Sequence, residues 1–189
     1  MLKRLKQKRY WLTFAVLIFI FYYFVYPIYY FNKHIDVAGV QLLSKTDEVD
    51  RTQMGLIEGE MEGFSTLENP ELTLMYPFRG FFSNRLTGIT MDGQSRSDYA
   101  IFGVHVGDLR EQVNQILEDY GFSGKYSSVY LNKGIFTAEV HFKNGIVDRI
   151  SVEVHDPQSI IILLFIILVV MGLRSIFLVS NPVRKERSD

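Results

Sequence analysis

The sequence predicts an α+β protein: two transmembrane helices, one near each end, flanking a tandem β-α-β-β-β extracytoplasmic domain with antiparallel sheets. Three observations lead there. Two long apolar runs stand at the ends of the 189-residue chain. The basic residues gather outside those runs and the acidic ones between them. The stretch between them carries one well-marked helix followed by alternating strands, and a weaker image of the same pattern 64 residues earlier.

The first apolar run is Trp11 to Phe31, WLTFAVLIFIFYYFVYPIYYF, with no charged residue in it. A helix rising 1.5 Å per residue needs about 20 such residues to cross a hydrocarbon layer of roughly 30 Å. Its outer end is dense in tyrosine: Tyr22, Tyr23, Tyr26, Tyr29 and Tyr30. Tyrosine favours the headgroup boundary, where the ring is buried and the hydroxyl stays wet. A cleaved signal peptide is the rival reading. The run exceeds a usual signal core and no small-x-small cleavage site follows it, so the expectation is an uncleaved anchor.

The second run is Ser159 to Leu173, SIIILLFIILVVMGL, continued through Arg174 to Ser175–Val179. Its length suits a span if the Arg174 side chain reaches a boundary by snorkelling. Arg174 is also the candidate for an intramembrane contact with a partner helix. Charge then sets the orientation. Residues 1–10 hold five Lys or Arg and no acid, whereas 32–158 hold 11 positive against 19 negative side chains. Basic flanks stay in the cytoplasm. The expected organisation is a cytoplasmic segment 1–10, a span 11–31, extracytoplasmic copies 32–98 and 99–158, a second span 159–180 and a cytoplasmic tail 181–189. The partners this implies are the lipid bilayer and an unidentified membrane or envelope protein. An acidic outer domain does not suit nucleic acid, which needs positive surface.

Within 99–158, Tyr99–Val106 has strand composition. Asp108 is placed to cap a helix, and Glu111 three residues on would complete a capping box. Leu109, Val113, Ile116, Leu117 and Tyr120 fall on one helical face, and Gly121 suits a left-handed stop. Strands are expected at Ser127–Leu131, Gly134–Phe142 and Ile146–Val154. A three-residue turn, Lys143-Asn144-Gly145, would pair Val140 with Asp148 and Ala138 with Ile150.

Shifting the chain by 64 residues brings seven identities into line over residues 37–87. Gly39, Val40, Val49, Leu67, Thr73, Phe78 and Arg85 fall on Gly103, Val104, Val113, Leu131, Thr137, Phe142 and Arg149. They recur in the order of the proposed turn, helix and strands, which supports an internal repeat. In the first copy Ser44 would cap the helix with Asp47 at its third position, and acidic Glu58–Gly63 reads as a solvated loop or frayed turn.

The layout resembles small bacterial cell-envelope modules, on Gly103, Asp108, Glu111, Val113, Gly145, Val147 and Ile150. These are the outer-membrane assembly lipoprotein of the SmpA/BamE type and the domain that precedes CAP domains in Gram-positive secreted proteins. The resemblance covers 99–154, and 37–91 more loosely. It implies a non-catalytic binding or scaffolding unit. The chain departs from both in lacking a lipoprotein cysteine and a CAP domain and in carrying a second apolar run.

Reactive motifs are scarce. Zero cysteine excludes disulfides, thiolate zinc sites and a thiol nucleophile. No P-loop, GxGxxG, GxSxG or HExxH is present. Glu139-x-His141 and Glu153-x-His155 invite a metal or hydrolase reading, yet alternate polar positions are also what the outer side of a half-buried sheet requires. The expectation is therefore no catalytic, cofactor or metal site. The chain is read as a displayed binding or scaffolding module of an envelope complex. The alternatives are an accessory or regulatory subunit of a transporter or secretion system, and an envelope hydrolase using His141, His155 and neighbouring acids.

Overall fold

The computed structural model describes residues 11, 14–93, 98–125 and 127–162. The segments 1–10 and 181–189, most of the second apolar run and Arg174 lie outside the described residues. Two compact units divide the chain, Met1–His155 and Asp156–Asp189, and in the second only the helical stretch 158–162 is described as an element.

The first apolar run forms helix α1, Phe14–Lys33, long and apolar enough to cross a membrane. Its turn Phe21–Val25 is a π-helix, immediately before Pro27. Proline has no N–H to give the carbonyl four residues back, so the ladder is interrupted at Tyr23 and the local winding widens.

After α1 the chain makes the short strand β1 (Ile35–Asp36), a 3-10 turn at Thr46–Glu48 and helix α2 (Arg51–Met54). Four strands follow: β2 (Ile57–Met61), β3 (Phe64–Glu68), β4 (Leu72–Pro77) and β5 (Gly88–Asp92). The second half then begins with β6 (Ala100–Ile101) and helix α3 (Arg110–Tyr120). It ends with β7 (Ser123–Lys125), β8 (Ser128–Lys133), β9 (Phe136–Lys143) and β10 (Ile146–Val154). Strands β1 and β6 pair with each other, and the rest form one eight-stranded antiparallel sheet in the order β2-β3-β4-β5-β10-β9-β8-β7.

That order reads the same from both edges when β2 to β5 are matched with β7 to β10. The register follows suit. The pairs Gly59↔Thr66, Phe64↔Pro77 and Leu67↔Leu74 become Ser123↔Tyr130, Ser128↔His141 and Leu131↔Ala138 when 64 is added to every number. The shift slips only where the last strand of each half joins.

One apolar row crosses the sheet through neighbouring partners: Leu67, Leu74, Ile89, Val152, Ala138 and Leu131. All six are buried. Burying each branched side chain contributes about 1.5–3 kcal/mol, so this row is a principal support of the sheet. Met54, Leu56, Val113, Leu117 and Phe122 add to the core.

Several expectations need correction. The strand expected at Tyr99–Val106 is only Ala100–Ile101, because Phe102 and Gly103 both take positive φ (56° and 73°) and turn the chain. Asp108 is not the N-cap residue of α3. Leu109 holds the N-cap position with no side-chain bond, while the Asp108 carboxylate accepts from the His105 backbone N–H at 2.8 Å. The reason is local: residues 107–110 are already zipped to the β9–β10 turn, Arg110 N–H donating to the Gly145 carbonyl at 2.9 Å. Val113 and Leu117 are buried, but Leu109 and Ile116 are exposed, a narrower stripe than the spacing suggests.

The β9–β10 turn is the two-residue Asn144-Gly145, both at positive φ, with Ile146 opposite Lys143. A bulge between Val147 and Arg149 then brings Ile150 opposite Val140 and Val152 opposite Ala138. The bulge reconciles the favoured short turn with matched apolar faces, where the expectation had lengthened the turn instead. In the first half Asp50, and not Ser44, caps the helix, accepting from Gln53 N–H at 3.0 Å. The supposed acidic loop 58–63 is edge strand β2 and its turn, with charged side chains along the edge, a disposition that discourages further strand pairing. Each half also holds one strand more than expected after its helix.

Candidate functional site: the open sheet face and the helix junction

The face of the sheet opposite the apolar row is lined by hydroxyls and other polar groups. One row runs Glu68, Thr73, Thr90, Ser151, Glu139, Tyr130 and Ser123; the next runs Thr66, Met75, Gly88, Glu153, Thr137 and Asn132. Alternation along each strand puts them there. Thr66 and Ser151 are nonetheless buried, and the Met75 side chain lies over Gly88, where an added Cβ would meet Met75 Cε at 2.2 Å.

The residues suspected of metal or hydrolytic chemistry all sit on or beside this face, in separate small networks. His141 Nδ1 lies 2.5 Å from Asp148 Oδ1, the residue at the β10 bulge. Ser128 stands opposite His141 across the ladder, but its hydroxyl donates to Glu139 at 2.9 Å. A serine whose proton goes to a carboxylate is not the nucleophile of an imidazole base. Thr137 Oγ donates to Asn132 Oδ1 at 2.8 Å, so its contact with His155 Nε2, also 2.8 Å, requires the imidazole to donate. Among the described residues no group of three His, Asp or Glu side chains is placed to hold a metal ion. Of the residues that carried the resemblance, Val113, Val147 and Ile150 are core, Gly103 and Gly145 are positive-φ turn residues, and Glu111 lies in the first turn of α3.

The second feature is the junction where α1 enters the domain. Phe31 is 0% exposed, stacked on Phe136 (5.4 Å between centroids) and edge-on to Phe102 (5.6 Å). His34 stacks on Phe102 at 5.3 Å and meets the Tyr120 edge at 4.8 Å. Lys133 Nζ stands 4.1 Å above the Tyr30 ring, a cation–π contact. Asn32 clamps the chain beyond the helix: its Oδ1 accepts from Leu42 N–H at 2.7 Å and its Nδ2 donates to the Leu42 carbonyl at 3.3 Å. Burial, aided by Lys33 and Lys133, holds the His34 imidazole below its ordinary 6.5.

The tightest contact concerns Gly134, in the β8–β9 turn at φ +61°. A Cβ there would lie 2.1 Å from the Tyr23 carbonyl oxygen, the one to which Pro27, four residues on, has no N–H to give. Only glycine permits that approach. The sequence signals for this junction were the proline within α1, the polar Asn32 at its end and the glycine at 134; none of them names its partner.

Comparison with known protein families, with curated proteins and with solved structures finds no match for this chain. What the fold and site define is therefore a class only: a β-rich α+β domain joined to an apolar helix able to cross a membrane or to serve as a signal sequence.

Proposed function

We propose that the protein is a two-span membrane protein, both termini cytoplasmic, displaying a duplicated, non-catalytic α/β module as a binding or scaffolding unit of an envelope complex. The observation that carries this reading is the junction. A helix whose last turns supply Phe31 to the core and Asn32 to a backbone clamp is part of the domain, which favours an anchor over a cleaved signal. The basic leader and tail and the acidic middle support the orientation. The register that repeats after 64 residues supports duplication independently of the seven identities. The separate pairing of His141, His155, Glu139 and Ser128 favours binding over hydrolysis. The hydroxyl-lined face is the surface we assign to the partner, since hydroxyls and carboxylates suit a polar, wet contact.

The absence of native cysteine makes the test direct. In intact cells, a cysteine at Asn144 is expected to react with a membrane-impermeant maleimide, and one at Lys6 only after lysis. A photo-crosslinker at Thr90 is expected to capture a defined envelope protein, and one at Gln115 is not. A cysteine at 144 that stays unlabelled until lysis would overturn the topology. Equal capture at both positions would overturn the assignment of the face.

A further inference from the structure

The sheet has two ends, and α1 leaves past one of them. Counting back along α1, its contacts move from Tyr120 at His34 to Phe136 at Phe31 and to the turn residue Gly134 at Pro27 and Tyr23. The ends of other elements lie alongside that turn. His155 N–H donates to the Ile135 carbonyl (2.8 Å) and Val154 N–H to the Thr87 carbonyl (2.7 Å), so the β8–β9 turn and the β4–β5 connection flank the end of β10. Phe78 N–H donates to the Gly63 carbonyl (3.1 Å), which adds the β2–β3 turn to the same rim.

The β4–β5 connection, Phe78-Arg-Gly-Phe-Phe-Ser-Asn-Arg-Leu-Thr87, is long, aromatic and basic. Phe78 is 46% and Phe81 62% exposed, Phe82 packs edge-on to Phe81 at 5.1 Å, and Met61 is exposed on the neighbouring turn. The loop is also built firmly. Asn84 N–H donates to the Pro77 carbonyl (2.9 Å), Ser83 Oγ to the Phe78 carbonyl (3.0 Å), and the Arg85 guanidinium to the Leu43 carbonyl (3.0 Å). Its counterpart in the other half, at the far end of the sheet, is the two-residue polar turn Asn144-Gly145.

We infer that the 78–85 loop is an interfacial membrane contact: Phe78 and Phe81 enter the boundary between headgroups and acyl chains beside the emerging α1, with Arg79 at the headgroups. The occupant is the bilayer that α1 crosses, since among the described residues only the end of the sheet that α1 leaves carries the enlarged aromatic loop. Exposed phenyl rings beside guanidinium groups are the chemistry of surface-seated segments, which sit roughly 5–10 Å into that boundary. The inference rests on α1 being a span.

The test uses the full chain in vesicles of phosphatidylcholine and phosphatidylglycerol. Trp11 is the sole tryptophan, so it reports on α1 in the native chain, and W11F/F81W and W11F/I146W report on the two ends of the sheet. The F81W probe is expected to be quenched by lipid brominated high in the acyl chain and shielded from aqueous iodide, and the I146W probe to behave in the opposite way. If Trp11 is quenched by bromolipid but the F81W probe is as open to iodide as the I146W probe, the inference falls and the span stands. If bromolipid quenches neither Trp11 nor the F81W probe, both fall. An F81W probe shielded from iodide without bromolipid quenching would indicate cover by protein, a second copy or another chain, and would also overturn the inference.

Discussion

The two halves of the sheet share strand order and register but not their connections. Leu67, Leu74 and Ile89 meet Val152, Ala138 and Leu131 in one buried row, while ten residues, 78–87, do in one half what Asn144-Gly145 does in the other. The difference teaches where each half is constrained. A slip of one residue in a strand would turn its apolar side outward, so register is held fast. A connection at the end of a sheet answers only to what lies beyond that end, and there the halves diverge.

The comparison can be broken first at the junction, where Phe31 packs on Phe102 and Phe136 of the second half. Phe31→Ala empties a fully buried aromatic site and is expected to cost about 3–5 kcal/mol. Thermal unfolding in detergent, together with protease cutting between α1 and β1, reads this out. A midpoint near that of the parent chain would contradict the buried-junction account.

Gly134 and Pro70 stand 64 residues apart in equivalent turns, and Gly134 lies against Tyr23 and Pro27 of α1. Gly134→Ala adds a methyl where no room exists, at a positive φ, for an expected loss of about 1–3 kcal/mol. Pro70→Ala is expected to change stability much less. Equal denaturant midpoints for the two variants would remove the asymmetry.

The helix starts offer a smaller contrast. Asp50→Ala deletes the cap of α2 and is expected to cost about 1 kcal/mol. Asp108→Ala should leave the start of α3 intact, because backbone bonds to the β9–β10 turn hold it. Amide exchange at Gln53 and at Val113 separates the two outcomes.

The least effect is a matter of pH. Because the folded state holds His34 below its ordinary 6.5, the unfolded chain takes up its proton first on acidification. The contribution is complete above 6.5 and declines as the pH falls toward the folded value. His34→Gln is expected to flatten that limb of the stability profile. A profile unchanged by His34→Gln would remove this site from the account.

How much of this was legible depended on whether the signal was local. The apolar length of α1, the periodicity of α3 and the alternation of β9 and β10 are each written within a few residues, and each reads through. The edge strand β2 was hidden because glutamates at 58, 60 and 62 imitate a solvated loop. Asp108 misled because α3 starts one residue later than the capping pattern suggests, with Leu109 at the N-cap position, while the Asp108 carboxylate accepts from the His105 N–H. The junction was illegible for a deeper reason: Tyr23, Phe102 and Gly134 are distant in sequence, and their meeting depends on the two-stranded link of β1 with β6.

Asn32 and Phe31 leave no slack between α1 and the first strand it feeds. In the proposed topology, a change in the tilt of α1 swings the hydroxyl-lined face through an arc about the bilayer surface. The height at which a bound partner is held would then follow the thickness of the surrounding lipid.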